Sequence, residues 1–179
     1  MLKIGPMKNI VLKSFLSFLI TACLIFPSCS RRSFEKKLTS ETTVEKGAIP
    51  ADFGKSNFTL LYVGFGREKV DNIVKEVLEN EYHGKYEAVS NDEYQQNMRR
   101  YNDSTKYQYV LTISSSTTSH ISVTSDHSGD MTFLHIHYLL IDAKTKKTYN
   151  CPATVNWYEH VMKVYIQSLE NQRKKNQTS

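Results

Sequence analysis

YQYVLTISSSTTSHISVTSDHSGDMTFLHIHYLLIDAKTKKTYNCPATV, residues 107–155, reads as a strand folded back on itself twice. Tyr107–Ser125 and Met131–Ile141 flank His127-Ser128-Gly129-Asp130, and Met131–Ile141 and Thr148–Val155 flank Ala143-Lys144-Thr145-Lys146-Lys147. Both separators carry turn chemistry: a Ser-Gly pair that tolerates positive φ, and a short polar bend rich in lysine. With Ser128 and Gly129 at the centre of the first turn, His127 faces Asp130 and His120 faces His137. That register gathers Ile113, Ile121 and Val123 with Leu134, Ile136, Tyr138 and Leu140 on the face expected under helices. The other face collects His120, His135 and His137 with many Ser and Thr, and also Met131, Phe133, Leu139 and Ile141.

Outward from this meander the chain alternates strand and helix. Asn57–Val63 is apolar enough for a strand covered on both faces. Gly64-Phe65-Gly66 breaks it, and Arg67–His83 then sets Val70, Ile73, Val74, Val77, Leu78 and Tyr82 on one helical stripe, with Gly84 at the terminator position. Lys85–Val89 is a short strand. Ser90-Asn91-Asp92-Glu93 resembles a capping box opening a second helix with Tyr94, Met98 and Tyr101 at helical spacing. After the meander, Asn156–Lys175 places Trp157, Val161, Val164, Tyr165 and Leu169 on one side and ends in basic residues, which suit a helix carboxyl terminus. Strand, helix, strand requires a right-handed crossover, so the first two strands are expected to be parallel. The predicted fold is α/β: a two-layer mixed sheet with a βαβα start, an antiparallel meander and a carboxyl-terminal helix, its helices mainly on one side.

At 179 residues there is room for one such domain. The net charge of +5 does not point to nucleic acid, because the excess is not on the domain. From Asp52 onward the chain has 15 basic and 15 acidic residues, and a reader of the phosphate backbone needs a clustered excess of Lys and Arg.

The amino-terminal segment carries the excess. Met1–Lys13 is basic without an acid, and Ser14–Phe26 is an apolar run too short to span a membrane but right for the core of a signal peptide. Pro27-Ser28-Cys29 follows, and resembles a bacterial lipoprotein signal in which residues 1–28 are removed and Cys29 is acylated. Ile20-Thr21-Ala22-Cys23 offers Cys23 as the alternative, although cleavage there would shorten the apolar core. Acylation by more than one chain gives stable anchoring. Residues 29–51, rich in Ser, Thr, Glu and Lys, read as a tether that cannot bury enough to order itself, leaving 52–179 as the domain. These features place the chain in the envelope, lipid-anchored at an outer membrane and facing the periplasm. With Cys29 acylated, Cys151 has no disulfide partner and reads as a small buried hydrophobe.

Three motifs compete for chemistry. His135 and His137 at i and i+2 of a strand point the same way, and His120 from the neighbouring strand would complete a zinc set. Against this, no Asp, Glu or Cys converges on them, and an exposed antiparallel face accommodates histidines readily. Gly64-Phe65-Gly66 imitates the start of a dinucleotide fingerprint, but Lys69 stands at the third glycine and no acid ends the next strand. The hydroxyl-rich run 113–124 lacks the apolar alternation of a lipid-facing strand, since Ser115, Thr117 and Ser119 interrupt it. No catalytic set and no cofactor follow from these residues.

The order of elements, with Leu139-Leu140-Ile141-Asp142-Ala143-Lys144-Thr145-Lys146-Lys147, resembles a group of periplasmic α/β modules with an anticodon-binding-like fold. The group includes the amino-terminal domain of the Tol-system propeller protein and the curli-secretion lipoprotein. Asp142, Ala143, Thr145 and Lys147 match its "Asp-Ala-x-Thr-Gly-Lys" turn, Lys146 stands where glycine is usual, and Tyr109–Ile113 resembles the strand after its second helix. The likeness covers about Asn57–Lys175. It implies a non-enzymatic role in envelope assembly or protein contacts and brings no catalytic residues. The expectation is therefore a lipid-anchored module that binds a protein or envelope component; the alternative is a histidine-based metal-binding protein or a hydrolase.

Overall fold

The computed structural model describes residues 33–124, 127–151 and 158–178, and between 117 and 134 it describes the backbone alone. The chain divides into two compact units, Met1–Lys37 and Leu38–Ser179. The second is an α/β domain with a five-stranded mixed sheet. A helix over 33–41 (α1) is followed by β1 (Leu60–Val63), α2 (Glu68–Glu81), β2 (Tyr86–Val89), α3 (Asn91–Gln96) and α4 (Met98–Tyr101). The chain continues through β3 (Tyr109–Thr124), β4 (His127–Asp142), β5 (Thr148–Asn150) and α5 (Tyr158–Gln177). Strand order is β2-β1-β3-β4-β5, with β1 parallel to both β2 and β3 and the remaining pairs antiparallel.

The handedness of crossovers explains where the helices lie. The step from β1 to β2 goes one way along the sheet, and the step from β2 to β3 returns across β1. Right-handed connections in opposite directions put their helices on opposite faces. Accordingly Leu60 and Tyr62 join Val74, Leu78, Tyr165 and Leu169 in the main core, while Leu61 and Val63 join Val89, Tyr101 and Tyr107 in a smaller one. Most helical cover is on the first face, from α2 and α5, and β1 is buried on both. Glu81 ties those two helices together, accepting from Gln167 Nε2 (2.8 Å) and pairing with Lys163 (2.9 Å).

The second expected helix is broken at Asn97 into α3 and α4. The Asn97 amide donates to the Glu93 carbonyl (3.1 Å), a side-chain competition with the helix backbone that favours an end at this point. Met98 is consequently exposed rather than packed. Ser90 caps α3 by accepting from Glu93 N (3.1 Å), as expected, but the Glu93 carboxylate accepts from the Tyr101 hydroxyl (2.7 Å).

The tether reading of 29–51 is corrected over its second half. Leu38, Ala48, Ile49 and Phe53 are buried in the main core, and Tyr165 donates to the Ala48 carbonyl (2.9 Å). The segment is poor in apolar residues, but those it has are spaced to plug the core beside α5, so a low average composition conceals an ordered strap. Cys29, Cys23, the apolar run before them and Trp157 lie outside the described residues. Among the described residues no helix is long and apolar enough to cross a membrane.

Candidate functional site

The hairpin of β3 and β4 is longer than expected and differently registered. Its two strands of 16 residues each pair from Tyr109↔Asp142 to Thr124↔His127, so His127-Ser128-Gly129-Asp130 belongs to a strand and not to the turn. The core decides this. In the Ser128-Gly129 register, Leu111 and Ile113 would face Lys146 and Lys144 of the lysine bend; here they face Leu140 and Tyr138, and all four are buried. The slip between the two registers is an even number of residues, so the faces are as expected and only the facing partners change.

That change dissolves the expected histidine set. His135 pairs with Ser116, His137 with Ser114, and His120 with Met131. His120 therefore lies four positions, about 13 Å, along the ribbon from His135. His137 Nε2 is 3.2 Å from Ser116 Oγ, a cross-strand polar contact. No group of three or more metal-binding side chains occurs among the described residues.

Among the described residues, only the root of the hairpin pairs with strands other than its own two. β1 pairs with β3 at Val110 and Leu111, and β5 pairs with β4 from Leu139 to Ile141, with Cys151 N donating to the Tyr138 carbonyl (3.0 Å). Beyond Ile113 and His137, no other strand pairs with either edge among the described residues. The result is a two-stranded arm of about 11 residues per strand, reaching about 35 Å beyond the sheet. At its base lies an open cavity of about 710 Å³, lined by Glu41, Lys46, Ser114, Ser115, Ser116, His137, Leu139, Asn150 and Cys151. The Cys151 thiol faces this cavity as an inert group: burial pushes it up to about 12, and the charge of Glu41 adds to the effect. Glu41 and Lys46 come from the segment expected to be tether, which is why sequence reasoning missed this lining.

The glycine loop after β1 is filled from within. Asp71, in the first turns of α2, accepts from Phe65 N (2.7 Å), Gly66 N (3.0 Å) and the Tyr62 hydroxyl (2.6 Å). The amides that would cradle a phosphate in a dinucleotide fold already hold a carboxylate of the chain itself. Burial, then Asp71, drives the Tyr62 phenol well above its ordinary range, so it stays a neutral donor. An Asp four residues after Arg67 was the available signal; it reads equally well as a helix amino-terminal charge.

At the opposite end of α2, Glu170 is buried. Burial opposes its charge, but Arg173 binds both its oxygens (2.7 and 2.8 Å) and holds the carboxyl below its ordinary range, with His83 N and Lys174 adding to the effect. This pair closes the helix layer, and Arg173 also lines a small cavity of about 190 Å³ beside Tyr82, His83 and Lys85.

No protein-family model matches the chain, and no curated protein matches it. Among solved structures it is similar to the PelC dodecamer from Paraburkholderia phytofirmans, at 8% identity over 67% of this chain and 88% of that one, with a TM-score of 0.32.

Proposed function

We propose that this chain is a lipoprotein of a bacterial outer membrane, facing the periplasm and held by acyl chains on Cys29, with Cys23 the alternative. Its α/β domain is a non-enzymatic module that binds a protein component of the envelope through the β3–β4 arm. The observation that carries the reading is the pair of ladder edges along the arm that meet no further strand among the described residues. A ribbon of two strands is marginal in water, and free strand edges are templates for an added strand. Strand addition gives affinity through main-chain hydrogen bonds and needs no catalytic or cofactor chemistry. The balanced charge from Asp52 onward supports a protein partner over nucleic acid. The resemblance to periplasmic assembly modules agrees with this reading.

The test is photo-crosslinking in cells with the probe at Thr118 in the arm or at Lys75 on the exposed side of α2. Thr118 is expected to give a discrete adduct with an envelope protein and Lys75 none. The same adducts from both positions, or none from the arm, would overturn the reading. For the anchor, mass spectrometry is expected to find acyl chains lost in Cys29→Ser and kept in Cys23→Ser; intact protein with residues 1–28 attached and no lipid overturns it.

A further inference from the structure

We infer that the small cavity between the end of α2 and α5 binds one tetrahedral oxyanion of the phosphate class, free or as the terminal group of a headgroup, through Tyr82, Lys85 and Arg173. The inference does not use the β3–β4 arm and stands or falls apart from it.

Three segments meet at this cavity because of what they bury. Tyr82 ends α2 with its ring in the main core, and Phe58 enters the same core just before β1. Only His83, Gly84 and Lys85 then separate Tyr82 from β2. A Cβ on Gly84 would lie 2.7 Å from the Tyr82 hydroxyl oxygen, so glycine lets the turn fold against that atom. On the other side α5 approaches the strap closely, since a Cβ on Gly54 would lie 2.5 Å from Arg173 Cα. The space left between them is about 190 Å³, lined by Tyr82, Gly84, Lys85 and Arg173, with Ser56 and Asn57 from the approach to β1. Pockets for drug-sized ligands run to about 300–1,000 Å³, so the occupant here is small.

The Tyr82 hydroxyl carries the inference. Among the described residues seven tyrosines are buried, and six of them donate to an acceptor of the chain. Tyr62 donates to Asp71, Tyr101 to Glu93, Tyr107 to Glu87, Tyr109 to Asp52, Tyr138 to the Tyr158 carbonyl and Tyr165 to the Ala48 carbonyl. Tyr82 is 3% exposed, yet its hydroxyl meets no acceptor among the described residues, and it lines a cavity. A buried donor left in this state calls for a partner from outside the chain. Burial drives the phenol above its ordinary range against the pull of Arg173, so it stays a neutral donor. The Gly84 and Lys85 amides of the same turn also donate to no protein acceptor among the described residues.

Charge selects the partner. No Asp or Glu lines the cavity among the described residues. Arg173 gives three of its five donors to Glu170 and Gln177, which leaves two. Lys174 also pairs with Glu170 (3.4 Å), and Lys85 pairs with no acid among the described residues. Three cations thus stand against one carboxylate, an excess of two positive charges. The ends of α2 and α5 attract cations by themselves, but they leave the orphan hydroxyl without an acceptor. A phosphate group brings a charge of about −1.5 to −2 and three acceptor oxygens, which suits both the charge excess and donors from more than one side. A carboxylate brings one charge and two oxygens.

The experiment is calorimetry on the full chain in detergent, titrated with inorganic phosphate, with glycerol phosphate and, for comparison, with acetate. One phosphate per chain is expected, acetate should bind at least about tenfold more weakly, and phosphate should raise the thermal midpoint. Tyr82→Phe keeps the ring and removes the hydroxyl alone. It should weaken phosphate by about tenfold and leave the midpoint in phosphate-free buffer unchanged. Lys85→Gln should weaken it by a similar factor. Glycerol phosphate binding at least as tightly as inorganic phosphate identifies a headgroup as the source; inorganic phosphate alone identifies the free ion. Absence of both heat and midpoint rise in excess phosphate overturns the inference, as does acetate binding equally well. So does an affinity unchanged in the Tyr82→Phe, Lys85→Gln double variant. A midpoint that falls in Tyr82→Phe without phosphate would show that the hydroxyl already has a structural partner, and would overturn it too.

Discussion

The root and the arm of the hairpin are made by the same two strands, yet they answer to different physics. At the root, Leu111 meets Leu140 and Ile113 meets Tyr138 beneath α2 and α5, with β1 and β5 on either side. Beyond it, from Ser114 to Thr118, the run is all hydroxyl residues, and neither ladder edge has a further strand among the described residues. Register is therefore dictated at one end only. Burial at the root outweighs the turn propensity of Ser128-Gly129 at the tip, and the rest of the ribbon follows from the ladder. The contrast implies that stability resides in the root and the layers over it, and that the arm is free to serve contacts.

The largest effect is expected where the helix layer closes. Glu170→Ala leaves Arg173 without its buried carboxylate and the His83 amide without its acceptor, and should cost about 3–5 kcal/mol in denaturant unfolding. The same group gives a pH signature. Its folded value is lowered, so its contribution is complete above the ordinary 4.5 and drains away as pH falls through the folded value. Thermal midpoints of the parent chain should drop in that acid window, and Glu170→Gln should flatten the drop while lowering stability at neutral pH.

Next comes the strap. Gly54 has φ of 95°, and a Cβ there would lie 2.5 Å from Arg173 Cα. Neither the helix backbone nor the loop can give way, because Asn176 Nδ2 holds the Ala51 and Phe53 carbonyls (both 2.9 Å). Gly54→Ala is expected to cost about 2–3 kcal/mol by calorimetry. A neutral outcome would mean that the loop at Gly54 is not held against α5 as tightly as the Asn176 bonds imply.

These two sites show what was legible in the sequence. α2 and α5 were, because Val70, Val74, Val77 and Leu78, and Val161, Val164, Tyr165 and Leu169, carry the helical period that burial imposes. The parallel start and the sidedness of the hairpin were legible for the same reason, since period and parity survive any even slip. What pairs with what was not. The facing partners of β3 depend on where the connection falls, and local turn chemistry favoured Ser128-Gly129, which the ladder places inside β4. Leu38, Ala48 and Ile49 were hidden because an average over a polar segment cannot show three well-placed contacts. Asp71 was visible as a helix-start acid, but its reach back to the Phe65 and Gly66 amides depends on how the loop after β1 folds.

A smaller effect is expected at the bend between β4 and β5. Asp142 is buried and accepts from Lys144 N (2.8 Å), Thr145 N (3.3 Å) and Thr145 Oγ1 (2.8 Å), which winds the turn around one carboxylate. The winding leaves Lys146 at φ 61°, a conformation that costs a side chain and suits glycine. Lys146→Gly should raise stability by about 0.5–1 kcal/mol, net of the added freedom of the unfolded chain. A loss instead would show that the lysine side chain, not the backbone, holds the bend.

The smallest expected change in stability tests the contrast most directly. Replacing residues 117–134 with a short Asn-Gly turn joins Ser116 to His135, which already face each other across the ladder. The turn is thus grafted onto a pair in register, and the buried Leu111–Leu140 and Ile113–Tyr138 pairs are untouched. If stability resides in the root, the shortened chain should unfold within about 1 kcal/mol of the parent and with a slightly lower denaturant slope, since less chain is exposed on unfolding. It should also give none of the adducts expected from the arm. A loss of several kcal/mol would mean that the arm folds back on the domain and stabilises it, and the division between a stabilising root and a contacting arm would have to be given up.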